Sequence, residues 1–429
     1  MTPLADVMNH RRLPAFAALL LLLLAACAST DEPNGTNDDA PAPAGDSSPT
    51  EPASSGPAPI SIPAVLEDGW SLTAAYESDV RVNGVACGDL DRRTPGDEIV
   101  AVDQRGRILM FRRAGDGFEP MELPPIPAYG EGIEEQGATD APSGELVQVI
   151  CADIAPRIPG DEVIAVGVLE GGEDDGGRGL VRVLARAGTD RSWVEHRKVT
   201  PALAHGVVAG EMDEGHPGIE FLVAGFFGEA LIGAVSPRPG PVRIAYSEGI
   251  GLRHEGNAKG ACVTDAGIVL ACDDGWASEY RPDGDGRWAL AHRDDLGATL
   301  ARIAWFPEHG GVAVCANDGT YRFLRRDAET GALGTNMLDR SDNRLRGAVV
   351  ADLDPSHEGR ETATAGYDGR IRLIWIDAGE DGRLSTTKAT LARDTAKIHH
   401  LAAGDFDGMG PCLVSCGYSG DVLVVRRTP

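Results

Sequence analysis

Hydrophobic and polar positions along most of the chain follow one repeating order. A short apolar segment comes first, then an acidic turn, a second apolar segment, a turn centred on glycine, and a third segment ending in Arg or an aromatic residue. The first copy runs from Val85 to Arg113 and the last from Leu401 to Arg427. Short β-branched runs separated by Gly, Pro and Asp predict strands joined by tight turns. The chain is therefore predicted to be all-β.

The number of copies sets the architecture. Seven glycines mark the tips between second and third segments: Gly106, Gly179, Gly228, Gly275, Gly319, Gly369 and Gly420. The first and last are 314 residues apart, or about 52 residues per repeat, and this is the period of a propeller blade. The segment from Gly167 to Gly179 is an acidic, Gly-rich insertion at one tip, which does not disturb the register. The sequence predicts a seven-bladed β-propeller of four-stranded blades.

The ends of the chain indicate how the ring closes. In the first copy, strands are predicted at Val82–Gly88, Ile99–Asp103 and Arg107–Arg113, with a fourth in the following FEPMELPP. The seventh copy stops after its third strand. Because the segment Trp70–Tyr76 resembles a fourth strand, we expect it to complete the last blade. Joining the two ends in this way removes an exposed sheet edge.

The N-terminus has the pattern of an export signal. Arg11 and Arg12 precede the apolar run 13–24, which is too short to remain as a membrane-spanning helix. The sequence LAAC, which ends at Cys27, resembles a bacterial lipobox, and the resemblance implies that Cys27 is lipidated. Since Ala28 rather than Asp follows the cysteine, the expected destination is the outer membrane. An ordinary secretory signal with a chance cysteine is the alternative.

Composition divides the rest of the chain. Residues 27–61 are mostly Pro, Ala, Ser, Gly and acidic residues, and a segment so poor in apolar groups stays disordered. The predicted domains are a signal peptide at 1–26, an acidic tether at 27–61, and the propeller at 62–429. The expected protein is a monomer attached to the membrane only through its lipid.

Charge narrows the range of partners. The chain has 66 acidic and 39 basic residues, for a formal net charge of -27. So negative a protein repels phosphate backbones and anionic lipid, which argues against nucleic acid as a partner. The excess acid serves solubility, or some of the carboxylates hold divalent cations.

The eight cysteines offer few candidates for pairing. Cys87 and Cys151 occupy equivalent positions where other copies have a small residue, which indicates a buried slot. Cys262 and Cys272 are the one pair that a hairpin could bring together as a disulfide. No Cys-x-x-Cys occurs, so a structural zinc ribbon is not expected.

Acidic turns recur between the first and second strands. Examples are Asp89-Leu90-Asp91 with Asp97, Asp153 with Asp161, Glu211-Met212-Asp213, Asp352-Leu353-Asp354 and Asp405-Phe406-Asp407. This pattern resembles the FG-GAP or VCBS-type repeat of integrin α-chain propellers and of many exported bacterial proteins. The resemblance implies a calcium ion held by carboxylates at positions 1, 3, 5 and 9 of the turn. The implied calcium ligands are Asp89, Asp91, Asp97, Asp352, Asp354, Asp405 and Asp407.

The motif is degenerate in this chain. Position 5 of the first copy is Arg93, the second copy has Ala155 there, and Met409 stands at a ligand position in the seventh. An Asp in a turn also caps backbone N–H groups without a metal, and this alternative stays open. The segment GYDGRIRLIW additionally resembles a WD40 repeat, although the tandem Asp-x-Asp turns and the export signal favour the FG-GAP assignment.

Candidate binding residues gather on the opposite face, where the tips and the crossovers between blades lie. Six basic residues expected just before several innermost strands could line an axial funnel: His205, His254, Arg302, Arg346, His399 and His400. Five aromatic residues occupy the tips: Phe226, Phe227, Trp276, Tyr367 and Tyr418. Two long loops, the tip Glu170–Arg178 and the crossover Ala128–Glu145, add to this face. Loops on a rigid scaffold commonly carry binding residues.

Local catalytic signatures are missing from the sequence. We find no Gly-x-Ser-x-Gly elbow, no phosphate-binding P-loop and no His-Glu-x-x-His. The sequence favours a non-catalytic binding propeller at the cell envelope, with a glycan or protein partner. The alternative is an exported carbohydrate-active enzyme of the lyase or dehydratase type, because a site assembled from distant blades leaves no local motif.

Overall fold

The computed structural model describes most of the predicted propeller. It covers residues 69–121, 128–130, 144–169, 178–187, 192–212, 218–236, 243–247, 250–327, 329–379, 384–406 and 408–428. The predicted signal peptide, the tether and Cys27 lie outside the described residues. So do Asp213, Asp407, most of the crossover 128–145 and the acidic tip except Arg178.

Seven antiparallel sheets, each built around four strands, form the blades. The innermost strands are Val82–Gly88, Leu146–Ala152, Ala204–Gly210, Ala258–Thr264, Leu300–Phe306, Leu345–Ala351 and Ile398–Asp405. The second strands are Glu98–Asp103, Glu162–Leu169, Glu220–Gly225, Gly267–Cys272, Gly311–Ala316, Glu361–Gly366 and Pro411–Gly417. The third strands are Ile108–Ala114, Arg178–Ala187, Leu231–Val235, Trp276–Pro282, Thr320–Arg326, Arg370–Ala378 and Val422–Arg427. The outermost strands are Gly117–Pro120, Ser192–Thr200, Ile244–Ser247, Trp288–Asp295, Leu333–Arg340, Leu384–Arg393 and, for blade 7, Trp70–Tyr76.

The predicted closure is confirmed. Trp70–Tyr76 pairs antiparallel with Val422–Arg427, and Trp70 lies opposite Arg427. The innermost strand of blade 7 also contacts that of blade 1. Blade 7 therefore combines the two ends of the propeller, and the ring has seven blades as the repeat count predicted.

The hydrophobic core lies between the blades. The buried apolar residues form seven clusters, and each cluster joins two neighbouring blades. In one of them, Val100 and Val102 of blade 1 pack against Val149 and Val163 of blade 2. A second strand is covered on both faces by its neighbours, so its side chains are buried on both sides. This burial explains why these strands are continuous apolar runs rather than alternating ones.

Two short elements supplement the blades. Ala128–Gly130 adds a parallel fifth strand to the outer edge of blade 2, and Pro307–His309 forms a 3-10 turn. No helix in the described ranges has the length and apolarity needed to cross a membrane.

The expectation for Cys262 and Cys272 is wrong. In their hairpin, Cys262 lies opposite Val269 and Cys272 lies opposite Ala258, so the register keeps the two thiols apart. All seven cysteines of the described residues are free. Burial raises the pKa of Cys272 to about 12, and both residues pack in the core as small apolar groups.

The order of strands places the turns on two different faces. Turns between first and second strands, and those between third and outermost strands, lie on one face, here called the turn face. Tips between second and third strands and the crossovers between blades lie on the other, here called the tip face. The tips approach the next crossover closely: a Cβ added to Gly106, where φ is +74°, would lie 2.2 Å from the carbonyl oxygen of Gly144. Glycine is therefore required at this tip.

Candidate functional site

A β-bulge near the start of every innermost strand organises the tip face. In each blade the second residue of this strand has no partner in the register with the second strand. The bulged residues are Asn83, Val147, His205, Lys259, Ala301, Arg346 and His399. Bulges re-aim side chains and occur often beside functional sites. Here they repeat around the ring, and five of the seven carry polar or charged side chains.

The residue after each bulge faces the neighbouring blade near the axis. Four blades have glycine there: Gly84, Gly206, Gly260 and Gly347. A Cβ on Gly347 would lie 2.8 Å from the Leu401 side chain of the next blade. The other three blades have Gln148, Arg302 and His400. The three larger polar side chains therefore lie near the axis, in space that the glycines at the same position of the other blades leave open.

Arg302 is the charged centre of this region. It is 6% exposed, and its Nη1 donates to the carbonyl oxygens of Lys259 and Ala301. Burial lowers the pKa of Arg302 to about 10, and the nearby charge of Arg346 adds to the decrease. Arg302 remains a cation at neutral pH. It holds a positive charge at the axis between blades 3, 4 and 5.

His205 lies beside this guanidinium. Its Nδ1 is 3.2 Å from Arg302 Nη1 and 3.1 Å from the carbonyl oxygen of Lys259. Burial, followed by the charges of Arg302 and Lys259, lowers the pKa of His205 well below its ordinary value. The tautomer of the neutral His205 decides whether Nδ1 accepts from Arg302 or donates to the Lys259 carbonyl oxygen, which can accept a second hydrogen bond.

The two histidines of blade 7 are also neutral. Burial and then the charges of Arg346 and Arg302 lower the pKa of His399 well below its ordinary value. His399 Nδ1 donates to the Asn83 carbonyl oxygen at 2.8 Å, which places its proton on that nitrogen. Burial and Arg302 lower the pKa of His400 to about 3. His205, Arg302, Arg346, His399 and His400 are thus brought to one electrostatic environment.

Two tyrosines cover this group at the tips of blades 6 and 7. The rings of Tyr367 and Tyr418 are 5.7 Å apart, and their hydroxyl oxygens are 3.3 Å apart. Arg346 lies 5.3 Å from the Tyr367 ring centre. Lys397 lies 4.9 Å from the Tyr367 ring and 5.2 Å from the Tyr418 ring. Such cation–π contacts hold cations against the ring faces.

A third aromatic ring lies on the other side of the axis. Phe226 stacks on His205 with ring centres 6.0 Å apart and planes 3° from parallel, and Lys259 lies 6.0 Å from the Phe226 ring. Arg81 donates to the Tyr418 hydroxyl at 3.1 Å and also pairs with Glu145. We call this whole set the axial mouth. Its cations are Arg81, Lys259, Arg302, Arg344, Arg346 and Lys397.

Three of the candidate residues lie elsewhere. His254 Nδ1 donates to the Gly256 carbonyl oxygen at 2.6 Å, and the charged groups beside it are Asp273 and Asp274. Phe227 packs against the core between blades 2 and 3. Trp276 lies under Arg293, with 4.4 Å between the guanidinium carbon and the ring centre. The expectation that His254 shares a funnel with the other five is therefore corrected, because it belongs to the crossover before blade 4.

On the turn face, the ninth-position carboxylates join neighbouring blades. Asp97 Oδ2 accepts a hydrogen bond from Asp405 N of blade 7 at 2.8 Å. Asp161 Oδ2 accepts one from Asp89 N of blade 1 at 3.1 Å. Gly88 leaves the room that this contact needs, since a Cβ there would lie 2.5 Å from Asp161 Oδ2. These two aspartates connect blades rather than enclosing an ion within their own turn.

Sequence reasoning missed a second set of acids on this face. Four blades begin the second strand with a buried glutamate: Glu98, Glu162, Glu220 and Glu361. Each accepts a hydrogen bond from a backbone N–H of its own acidic turn, as in Leu353 N to Glu361 Oε2 at 2.8 Å. Glu98 accepts from three donors: Leu90 N at 2.8 Å, Asp91 N at 3.2 Å and Thr94 Oγ1 at 2.8 Å. The glutamates cap the turns from inside the blade.

Two more turn carboxylates, Asp91 and Asp354, have protein donors, whereas Asp89 Oδ1 and Asp153 Oδ1 are buried with no hydrogen-bond partner among the described residues. Asp91 pairs with Arg93 through two contacts of 2.8 Å, which places a guanidinium at the fifth position of the turn. Asp354 pairs with Arg427 and accepts from Trp375 Nε1 at 3.2 Å. The described residues contain no group of three or more His, Cys, Asp or Glu side chains arranged to hold a metal. Because Arg93 stands at the fifth position and pairs with Asp91, the first turn lacks one of the implied ligands, and calcium binding stays a prediction.

The sequence signal that was overlooked is the position of each residue within its repeat, at the second residue of the innermost strand. The funnel residues were expected just before the innermost strands, but His205, Arg346 and His399 are the second residues of those strands. Aligning that position across all seven copies would have added Asn83 and Lys259. Arg81, Arg344 and Lys397 come two residues before that position, where the crossovers enter the blades. Sequence alone could not show which of these side chains meet across the axis.

The comparisons with known proteins support the fold. The solved structure titled "Crystal structure of WD40 beta propeller domain of Doa1" superposes with a TM-score of 0.51 at 13% identity, covering 83% of this chain and 97% of that chain. At that identity the likeness shows a shared β-propeller fold only. No protein-family model and no curated protein matches the chain. The FG-GAP or VCBS assignment therefore stays a prediction.

Proposed function

We propose that this protein is a non-catalytic binding propeller that recognises an anionic macromolecular partner at its axial mouth. The observation that carries the proposal is the group of six cations gathered around Tyr367, Tyr418 and Phe226. Lipidation of Cys27 would attach the propeller to the cell envelope through the tether 27–61. The partner would then be an envelope glycan or an envelope protein.

The charge of the whole chain makes this cluster informative. With a formal net charge of -27, a group of cations is not explained by a basic composition. Cations on a local patch attract an anionic partner and raise its association rate, even when the net charge is unfavourable. The overall acidity would in turn exclude nucleic acid and anionic lipid surfaces. The mouth therefore favours a partner whose negative charges are concentrated in the short segment that contacts the cations, rather than spread over an extended surface.

The side chains of the mouth are held before any partner binds. Arg302 is fixed by backbone carbonyls, His205 by Arg302, and His399 by the Asn83 carbonyl oxygen. Burial and adjacent cations keep both histidines neutral, so they do not add variable charge. A preorganised site loses little conformational entropy on binding. A closed ring of blades supplies the rigid support.

Charge reversal tests the proposal. Lys259→Glu changes a half-buried cation of the mouth, and Arg287→Glu makes the same charge change at an exposed residue of the turn face. Binding of polygalacturonate and of polyglutamate is measured by titration calorimetry with the mature protein. We expect Lys259→Glu to weaken binding of the anionic polymer at least tenfold, while Arg287→Glu has little effect. Equal losses of affinity in the two variants would mean that binding depends only on net charge. Absence of binding to both polymers by the wild type would contradict the proposal.

One arrangement favours the enzymatic alternative. The proton of His399 is on Nδ1, so Nε2 is a free base, and the His399 and Tyr418 ring centres are 6.3 Å apart. The Tyr418 hydroxyl is held by Arg81 and lies beside that of Tyr367. In a β-elimination, a base removes the proton next to a carboxylate, a double bond forms, and an acid protonates the departing oxygen. An arginine would neutralise the carboxylate.

Turnover separates the two functions. An eliminating enzyme produces an unsaturated uronate, which absorbs in the ultraviolet and accumulates with time. On this hypothesis His399→Gln and Tyr418→Phe each remove the absorbance increase while leaving polymer binding within a few fold. On the binding hypothesis the wild-type protein gives no increase with any acidic polysaccharide tested.

A further inference from the structure

A cavity on the tip face adjoins the axial mouth and shares Tyr367 and Lys397 with it. It has a volume of about 450 Å³ and is bounded by the crossover 340–343, the tip of blade 6 and the crossover 393–397. The tip glycine of this blade shapes it, since a Cβ on Gly369 would lie 2.7 Å from the Asp394 carbonyl oxygen. Pockets of this volume accept one small ligand or one unit of a polymer.

Three exposed arginines line the cavity: Arg340, Arg370 and Arg393. Arg370 and Arg393 are directly opposite each other on paired strands. Like charges in this position repel and destabilise the pair. Within the described residues, none of the three guanidinium groups forms an ion pair with a carboxylate. The charge of Arg340 also acts on Asp318, so Arg370 and Arg393 are the two whose charge is available to a ligand.

Two carboxylates of the lining are already engaged. Asp368 pairs with Arg372 and accepts from Ser341 Oγ at 3.0 Å. Asp394 accepts from Ala396 N and from Ser419 Oγ, each at 2.9 Å. Asp342 is exposed at the rim and offsets part of the positive charge. The cavity thus keeps an excess of cationic donors.

We propose that this cavity binds the carboxylate-bearing unit of an acidic glycan, with Arg370 and Arg393 clamping the carboxylate. The inference rests on the proposed function, because it names the ligand of the same face. Guanidinium groups recognise carboxylates through two parallel hydrogen bonds. A bound carboxylate would also relieve the repulsion between the two opposed arginines.

The rest of the lining favours a sugar over an acidic peptide. Ligand pockets are usually lined mostly by apolar groups, whereas this one is lined almost entirely by charged side chains, hydroxyls and an amide. Asn343 and Asp342 offer donors and acceptors to sugar hydroxyls, and Tyr367 is the aromatic ring of the lining. An acidic peptide would instead bring apolar Cβ and Cγ groups into a polar cavity.

Calorimetric titration of the mature protein tests the cavity directly. The probes are trigalacturonate, the neutral trisaccharide maltotriose and hexaglutamate. We expect trigalacturonate to bind and maltotriose and hexaglutamate to bind at least tenfold more weakly. Arg370→Ala/Arg393→Ala should weaken trigalacturonate binding at least tenfold, and Arg370→Lys/Arg393→Lys should weaken it severalfold because lysine cannot form the paired contact. Arg287→Ala on the turn face is the matched control.

The outcomes distinguish the two proposals. If the double alanine variant binds trigalacturonate as the wild type does, while Lys259→Glu loses polygalacturonate, the cavity proposal fails and the axial mouth stands. If hexaglutamate binds as tightly as trigalacturonate, the glycan assignment is wrong. If neither acidic polymer nor trigalacturonate binds the wild-type protein, both proposals fail. A circular dichroism melting curve for each variant verifies that a loss of binding is not a loss of folding.

Discussion

The two faces of the ring use charge in opposite ways. On the turn face, carboxylates accept hydrogen bonds from backbone N–H groups of the same or the next blade, as Glu98 and Asp97 do. On the tip face, cations lie against aromatic rings around the axis, as Lys397 does between Tyr367 and Tyr418. The first arrangement satisfies groups that folding buries. The second gathers buried and half-buried cations beside aromatic rings, where the proposed partner would bind.

The comparison shows that charged residues serve different purposes on the two faces: stabilising the fold on the turn face and, by our proposal, binding a partner on the tip face. The acidic turns resemble ion-binding loops in sequence, yet several of their acids accept hydrogen bonds from protein donors, as Asp97 and Asp354 do. A buried carboxylate needs such donors, because an unpaired one is costly. The cations of the mouth are harder to notice in the sequence, since they are spread over the entries of five blades. A comparison of stability and binding in matched variants separates the two roles.

The largest expected effect is on the turn face. Glu98→Ala removes the acceptor for Leu90 N, Asp91 N and Thr94 Oγ1, and should lower the free energy of unfolding by about 3 kcal/mol. Urea denaturation followed by fluorescence measures the change. Lys259→Glu on the tip face serves as the contrast and should cost less than about 1 kcal/mol. Equal costs would remove the distinction between the faces.

The next effect is a pH dependence. Burial, with the charges of Asp153 and Asp161, raises the pKa of Glu162 to about 8. Because the folded pKa exceeds the unfolded one, this group's contribution is fully present below the unfolded pKa and is lost as the pH rises through about 8. The wild type should therefore lose about 3 kcal/mol more than Glu162→Gln between about pH 5 and about pH 8.

Denaturation midpoints of the two proteins across that pH range give the comparison. Only the difference between them is diagnostic, because Asp161 and Asp421, each with a pKa raised to about 6, titrate in both. Parallel pH profiles would mean that Glu162 is ionised throughout.

A smaller effect concerns the contact between blades 7 and 1. Asp97→Ala removes the acceptor of Asp405 N but keeps the hydrogen bond from residue 97 N to Asp405 O. We expect a loss of about 1 kcal/mol, with Asp97→Asn losing less since its amide oxygen still accepts. In the Asp97→Ala variant, amide hydrogen exchange should become faster than in the wild type at the junction of blades 7 and 1. The exchange rates at the junction of blades 4 and 5 should stay the same. Uniform exchange would contradict a local role.

The smallest effect is expected from calcium at the first turn. Arg93 pairs with Asp91 at the position where calcium would need a ligand, so chelation at fixed ionic strength should leave the melting temperature of the wild type within about 1 °C. The Arg93→Asp variant restores a carboxylate at the fifth position of the turn. Added calcium should therefore raise the melting temperature of this variant but not that of the wild type. A calcium-dependent rise of several degrees in the wild type would support the resemblance to calcium-binding repeats.

Much of the fold could be read from the sequence because it depends on local order. The tip glycines fix the number of blades, and the missing last strand together with Trp70–Tyr76 gives the closure. The candidate site was harder to predict. His205, Arg346 and His399 were identified from their position in the repeat, but His254 has a similar sequence context and lies elsewhere. The error arose because crossovers differ in length and enter the blades at different points.

The sequence by itself determined the length of the repeat, the strands within it and the residue type at each equivalent position. Those properties follow from alternating apolar runs and turn residues, which act over a few neighbouring positions. Only the tertiary structure decided which residues meet: Arg302 with His205, Arg370 with Arg393, and Asp97 with Asp405 N. Such contacts join positions that are far apart in the chain, and their geometry depends on bulges and on ring closure. For that reason the acids became structural caps and the cations became the candidate site.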